Sequence, residues 1–496
     1  MKNLILFCLV VILYSCGVSR NYQASKKYGS EDLVQDYKLF KNILEEQHPG
    51  LYWYTPADSM ELYLKRGAMM LQDSMTETGF RNVLNYVVSK VRCGHTTVRP
   101  SKQYIKYNRG KYFPLVIKAW PDTAVVTSNL NKKDSNVTRG VVLTAIEDKP
   151  ISEIIDSMFQ HLSGDGYNLT HKYQTISNRG VFGGMYTSLF GAKPTYRVTY
   201  IDTLNNLRQA TVPLFTITPD STQKFAKPIP QPSKKERKSR RMQANRSLHF
   251  DTSLSLAVMD LNTFTKGYRL PKFFRSSFRK LHKEHTENLV VDLRGNGGGS
   301  VTNSNLLTKY IIDKPFKIAD SIYALKRRSK YSRYQEDRFS NWLFLLLMTH
   351  KQKDGHYHFR YFERKSFKPK KKYHFAGQVY VLTGGNTFSA STLFAHVVKE
   401  QENVTIVGEE TGGGAYGNNA WLIPEVTLPV TGVRFRLPLF RLVVDTRLPK
   451  DGRGIMPEVE SAPTVADIRR SADFKMEKVM ELIRSREQLS TGLMKK

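Results

Sequence analysis

The chain is predicted to be an α/β protein of several domains, on three observations. An apolar strand runs into a glycine loop at Val290–Ser300, and a second buried strand, Gln378–Thr383, is followed by a helix and a further strand at Val404–Val407. The first hundred residues, by contrast, read as amphipathic helices. Strand, helix and strand in close succession imply a right-handed parallel crossover. The 496 residues leave room for roughly two to four domains and an ample core. Hydrophobic residues at 40%, with 26 Phe and 26 Tyr, exclude a disordered chain.

From Ser30 onward the helical spacing is plain. Leu33, Tyr37, Phe40 and Leu44 share one face, and Phe80, Val83, Leu84, Val87, Val88 and Val91 share another that ends at Gly94. His48 follows the first helix, just before Pro49, where helix termination and packing account for it. Residues of roughly 110 to 215 mix short strands with helix. Lys227–Arg246 then shifts from alternating Pro to dense Lys and Arg, so an extended, mobile and exposed linker is expected. Further basic stretches, Lys326–Arg333 and Lys368–Lys372, fall in an insertion between the glycine loop and the strand at Gln378.

The glycine loop reads VVDLRGNGGGS. Gly295, Gly297, Gly298 and Gly299 carry no side chains, so their N–H groups can converge on an anion, either an oxyanion or a phosphate. Asp292 and Arg294 are expected to pair and brace the loop. Ser389 stands where the strand at 378–383 turns into a helix, and Ala390, Leu393, Phe394, Val397 and Val398 give that helix its apolar face. At such a turn a serine hydroxyl is exposed and the N–H of Ala390 lacks a helical partner, the geometry a nucleophile needs. A serine at a helix start is also an ordinary N-cap. Ser391 faces elsewhere on the helix.

Taken with RCGHTT at Arg92–Thr97, TFSAS around Ser389, GEETGGG at Gly408–Gly414 and GRGIMPEVE at Gly452–Glu460, the loop makes the chain resemble the S41 family of serine peptidases. These are the tail-specific, C-terminal-processing and tricorn-core proteases. The resemblance implies an α/β multidomain fold. It would comprise a signal peptide over 1–15, an N-terminal helical domain over 16–100, a PDZ-like module over 101–220, a basic linker over 221–250 and a crotonase/ClpP-like peptidase core over 251–496. The basic insertion would occupy about 316–375. RGVVLTAIEDKPISEII, at Arg139–Ile155, is similar to the strand and helix of the PDZ-like module.

The resemblance also implies roles. Ser389 is the nucleophile, and the N–H groups of Gly298, with Gly297 as neighbour, and of Ala390 are the oxyanion donors. In the processing branch a lysine serves the serine, but Gly414 takes its place here and no lysine lies between Val404 and Pro449. The tricorn-like branch uses a histidine, which makes His95 the expected general base, with activity falling below about pH 6 as the imidazole protonates. In that branch the residue before the histidine can be a serine tied to a distant glutamate; here it is Gly94. The third member of the relay stays open among Thr96, Thr97, a backbone carbonyl, Glu458 and Glu409. No metal or organic cofactor is implied. Alternatives are a catalytically inactive S41-like protein that binds peptides, or a binder of phosphate or glycan through the glycine loop.

Lys2 precedes an apolar run from Leu4 to Tyr14, too short to cross about 30 Å of hydrocarbon, and Ser15–Cys16 follows. This resembles a bacterial lipobox, with Cys16 lipidated and the enzyme on the cell envelope, although Tyr14 is bulky for the motif. Net charge is +32. Charge of that size ordinarily suggests nucleic acid, a partner that an envelope address removes, leaving anionic lipid, polysaccharide phosphate or a solvated surface. The chain has only three cysteines, Cys8, Cys16 and Cys93, and they form no disulfide framework. Cys93 is read as a packing residue.

Overall fold

The computed structural model describes residues 23–107, 111–134, 136–217 and 232–493. Its central sheet has six strands in the spatial order 246–251, 256–261, 288–292, 378–383, 404–408 and 459–460. The first pair is antiparallel and every later pair is parallel. The middle strands, NLVVD and QVYVLT, are apolar almost throughout because both faces are covered. Leu289, Val291, Val379 and Val381 pack with Phe274, Phe278, Leu307 and Phe394 of the helices Leu270–Lys283, Val301–Thr308 and Ala390–Val398. Val290, Tyr380 and Leu382 point the other way, onto Val479 and Ile483 of the helix Phe474–Leu493. Each such fully buried Val, Leu or Phe side chain stabilises by about 1.5–3 kcal/mol relative to exposure.

Parallel pairing has a functional consequence. The C-terminal ends of four strands meet at one edge, so the loops after Leu261, Asp292, Thr383 and Gly408 all emerge there. In open parallel sheets that edge is where ligands bind.

The helices Ser30–Gln47, Ala57–Met69 and Glu77–Val91 bury the predicted faces, but they do not close a core of their own. Leu33, Phe40, Leu44, Phe80, Leu84 and Val88 share one cluster with Phe435, Leu437, Phe440 and Leu442. Phe40 meets Phe435 edge to face at 5.1 Å. The strand Val98–Arg99 then joins Arg434–Arg436 and Glu425–Thr427 in a small sheet. Residues 115–213 form a separate antiparallel sheet in the order 207–213, 195–201, 142–146, 123–129 and 115–120. Its core holds Phe113, Ile117, Ile154, Phe182 and Tyr196.

The basic linker differs from expectation. Lys234–Gln243 is a helix, not an extended segment, although it buries no residue. Ser233 and Glu236 form a reciprocal capping box, with bonds of 3.1 and 2.7 Å. That cap and the good helix propensity of Lys, Arg, Glu, Met and Gln outweigh like-charge repulsion, which solvent screens. Arg246–Asp251 then becomes the edge strand of the central sheet. The Pro-rich part over 218–231, the leader and Cys16 lie outside the described residues. Among the described residues no helix is long and apolar enough to cross a membrane.

Candidate active site

Ser389 sits between the strand 378–383 and the helix Ala390–Val398 with φ 58° and ψ −120°. That backbone is sparsely populated for a residue with a Cβ and costs on the order of 1–3 kcal/mol. It is held by its surroundings. Thr387 Oγ1 donates to the Leu293 carbonyl at 2.8 Å, Phe388 N–H to the Asn296 carbonyl at 3.1 Å, and Gly412 N–H to the Thr387 carbonyl at 2.9 Å. The Ser389 side chain makes no cap bond. The ordinary N-cap role is therefore not filled, and the hydroxyl is left for the cleft. Ser391, by contrast, is fully buried and its Oγ has no partner.

The glycine loop lies directly against this turn. A Cβ on Gly298, whose φ is +95°, would stand 2.8 Å from Ser389 Cβ and 3.0 Å from the Ala390 nitrogen. Only glycine permits that approach. The loop is pinned because Phe264 N–H donates to the Gly298 carbonyl at 2.8 Å and Ser300 N–H to the Phe264 carbonyl at 3.1 Å. Arg294 pairs with Asp292 at 2.6 Å and also reaches Asp473, which braces the loop as the sequence suggested. One detail was not legible. Gly298 N–H donates to Asn296 Oδ1 at 3.0 Å, so the donor expected for an oxyanion is occupied by a neighbouring side chain. Asn296 is fully buried, and its Nδ2 has no partner.

His95 arrives from the other side. The helix Glu77–Val91 ends at Arg92 in the left-handed region, and the chain turns through 93–97. His48, the C-cap of the first helix, holds this turn: its Nε2 bonds Thr96 Oγ1 at 2.7 Å while its Nδ1 accepts from Gly50 N–H at 3.1 Å. Thr96 is thus engaged with His48. The His95 ring packs on Phe388 at 4.7 Å, and His171 stacks on Phe388 at 4.9 Å. A Cβ on Gly94 would lie 2.6 Å from the tip of Phe388, which explains why no serine stands there.

Burial first, then the nearby Arg436 and His171, pulls the His95 imidazole down to about 3. Burial thus keeps it neutral throughout the physiological range, so protonation of this imidazole does not set the acid limit expected near pH 6. Its Nδ1 is buried without a hydrogen-bond partner. The carboxylate close by is Asp165, which the sequence reading missed. Asp165 accepts from Gly94 N–H at 2.8 Å and from Gly414 N–H at 3.3 Å, tying the His95 turn to the glycine turn after Gly408. Burial raises it to about 6. The carboxylates first considered are committed elsewhere: Glu409 pairs with Lys475 at 2.7 Å, and Glu458 accepts from Ile406 N–H at 2.7 Å.

His171 was also missed. Its Nδ1 bonds the Gly385 carbonyl at 2.7 Å. A carbonyl only accepts, so Nδ1 carries the proton and Nε2 keeps a lone pair.

Ser389, His95, His171, Gly297, Gly298 and Phe388 line one cleft of 1030 Å³. Its described lining includes Lys266 and Arg436 and no carboxylate. The sequence-predicted nucleophile, base and glycine loop are thus brought together, although no direct hydrogen bond joins Ser389 to His95. Catalytic bonds are commonly loose without substrate.

Residues 255–460 match the model of Peptidase family S41. That span, a little over two-fifths of the chain, is an S41 peptidase domain, and it makes the protein a serine-type peptidase. The matched span includes Ser389, Ala390 and Gly298 but not His95. Among solved structures, mature CPAF complexed with lactacystin is 14% identical with a TM-score of 0.64, covering 93% of this chain and 99% of that chain. Mature CPAF alone is likewise 14% identical, with a TM-score of 0.63 and coverage of 93% and 98%. At that identity the likeness speaks for the fold.

Proposed function

We propose that this S41 peptidase hydrolyses peptide bonds with Ser389 as nucleophile and His95 as general base. Ser389 Oγ attacks the carbonyl carbon while His95 takes its proton, then delivers it to the leaving amine; water hydrolyses the acyl-enzyme by the same route. Ala390 N–H meets the oxyanion, joined by Gly298 N–H once the Asn296 side chain turns aside. The observation that carries this reading is the strained, uncapped Ser389 turn lining one cleft with His95 and the glycine loop. Asp165 is the carboxylate best situated to orient His95.

In the finer architecture, a crotonase-like core holds the serine, an N-terminal helical domain delivers His95, and the sheet over 115–213 is a PDZ-like module. Its open edge strand, Leu207–Pro213, suits a peptide that pairs by strand addition. Ser389→Ala should abolish labelling by a serine-directed fluorophosphonate while changing stability by less than about 0.5 kcal/mol, since no cap bond is lost. Labelling that persists, or that moves to Ser391, defeats the assignment. A correctly folded wild type that never labels would leave the inactive peptide-binding alternative.

The envelope address is part of the same proposal. Lipid on Cys16 would hold the enzyme at the membrane, and the exposed basic helix Lys234–Gln243 would favour anionic envelope polymers. Wild-type protein expressed in a diderm bacterium should partition into detergent and Cys16→Ser should not; equal partitioning of the two removes the anchor.

A further inference from the structure

Three groups of different chemistry converge behind the cleft. One ligand atom each from Cys93, His95 and Asp165 lies within 4.8 Å of the other two, and all three residues are buried. Cys93 is a free thiol. His95 Nδ1 is buried with no hydrogen-bond partner. Both Asp165 oxygens accept backbone N–H groups, which fixes the carboxylate and leaves further lone pairs for another partner.

A side-chain hydrogen-bond network would satisfy these atoms by direct contact. Here Cys93 is bonded by Thr96 and Asn419 and Asp165 by two backbone N–H groups, yet His95 Nδ1 remains orphaned. A single ion bound to sulfur, nitrogen and oxygen at about 2.0–2.3 Å would instead draw its ligands to roughly 3.3–3.8 Å of one another, a contraction of at most about 1.5 Å from the 4.8 Å within which they lie. Thiolate, imidazole and carboxylate together are a zinc set, and the two anionic ligands neutralise a divalent charge in a buried place. With three protein ligands, the fourth position is left for a water from the cleft, which His95 and Gly94 both line.

We propose that Cys93, His95 and Asp165 form a zinc site that switches the peptidase off. Coordination releases the Cys93 thiol proton to solvent. The ion engages the imidazole and holds it and Asp165 in the metal-bound arrangement, so His95 no longer accepts the Ser389 proton. The inhibitory part rests on the reading of His95 as base; the metal site itself does not.

The test separates the two. Co²⁺ titrated into the full-length chain should bind as a single ion with a thiolate-to-cobalt charge-transfer band in the near ultraviolet, displaced by Zn²⁺. Cys93→Ala should lose the band, and Cys93→Ala and Asp165→Asn should each weaken Zn²⁺ by at least about a hundredfold, with thermal denaturation checking that both fold. Peptidase turnover should fall as Zn²⁺ fills the site, return with a chelator, and become insensitive at those concentrations in Cys93→Ala. Absence of the band, or a band that survives Cys93→Ala, overturns the site. A band without inhibition keeps the site but overturns the switch, and a fluorophosphonate reaction that is unaffected by Zn²⁺ locates that failure in the role given to His95.

Discussion

The two halves of the candidate cleft are built by different means. The Ser389 side is assembled from consecutive strand ends of one parallel sheet, where pairing register alone brings 293–300 beside 384–389. The His95 side is assembled from segments far apart in the chain: the turn at 93–97, Asp165, and the glycine turn at 412–414. One half is topological and the other tertiary. It follows that the serine side rests on one sheet's register and on glycines such as Gly298, whereas the histidine side depends on buried contacts that no single segment contains.

The largest effect that could break this comparison is a swap of histidines. Both His95 and His171 flank Phe388 in the cleft. His95→Ala should reduce kcat/KM at least about a hundredfold, the scale of a lost general base, while His171→Ala should cost less than about tenfold. Because burial holds His95 near 3 and raises Asp165 to about 6, kcat/KM should show no loss from imidazole protonation above about pH 5, and any fall centred near pH 6 should report Asp165 and disappear in Asp165→Asn. A hundredfold loss in His171→Ala with near-normal turnover in His95→Ala would move the base to His171.

The same division decides what could be read in the sequence. The glycine loop, the strand at 378–383 and Ser389 were legible because apolar runs, glycines and a strand-to-helix turn are local patterns. Family motifs added His95. Asp165 was not legible: it stands in HLSGDGYN, between recognisable motifs, and acquires its role only when Gly166 packs on Gly452 so closely that a Cβ there would lie 2.4 Å from the Gly452 Cα. Asn296 was hidden for another reason, since nothing in GNGGG says which way its amide turns. His171 offered only a weak signal, a histidine three residues after Asn168 at the start of a helix. The basic helix at 234–243 was misread because charge density was weighed and the Ser233–Glu236 cap was not.

A smaller effect sharpens the tertiary half. Gly94→Ser inserts a side chain against the tip of Phe388, 2.6 Å from its Cζ, in a ring already in contact with two imidazoles. Overpacking of this kind costs about 1–3 kcal/mol. The expected result is a lower urea midpoint together with reduced turnover, because the displaced ring is the one on which His95 rests. Gly297→Ser is the matched control on the topological half. Nothing lies within 4 Å of a Cβ there, so its midpoint should move by less than about 0.5 kcal/mol. Equal destabilisation by the two variants would erase the contrast.

The smallest effect is a slope. His48 supports the His95 turn through Thr96, and burial holds its imidazole at about 3, well below the ordinary 6.5. A histidine whose folded value is depressed stays neutral in the native state while the unfolded chain takes up a proton below pH 6.5. Its contribution to stability is therefore complete above that pH and is lost as pH falls towards 3. The linked slope is about 1.4 kcal/mol per pH unit for each such group. His48→Gln removes this one titration, so unfolding free energies from urea melts between about pH 6 and pH 4 should fall less steeply than in wild type by about that amount per unit, whatever the offset at neutral pH. Parallel slopes would mean that His48 protonates in the folded protein without cost, and the buried support attributed to the histidine side would have to be given up.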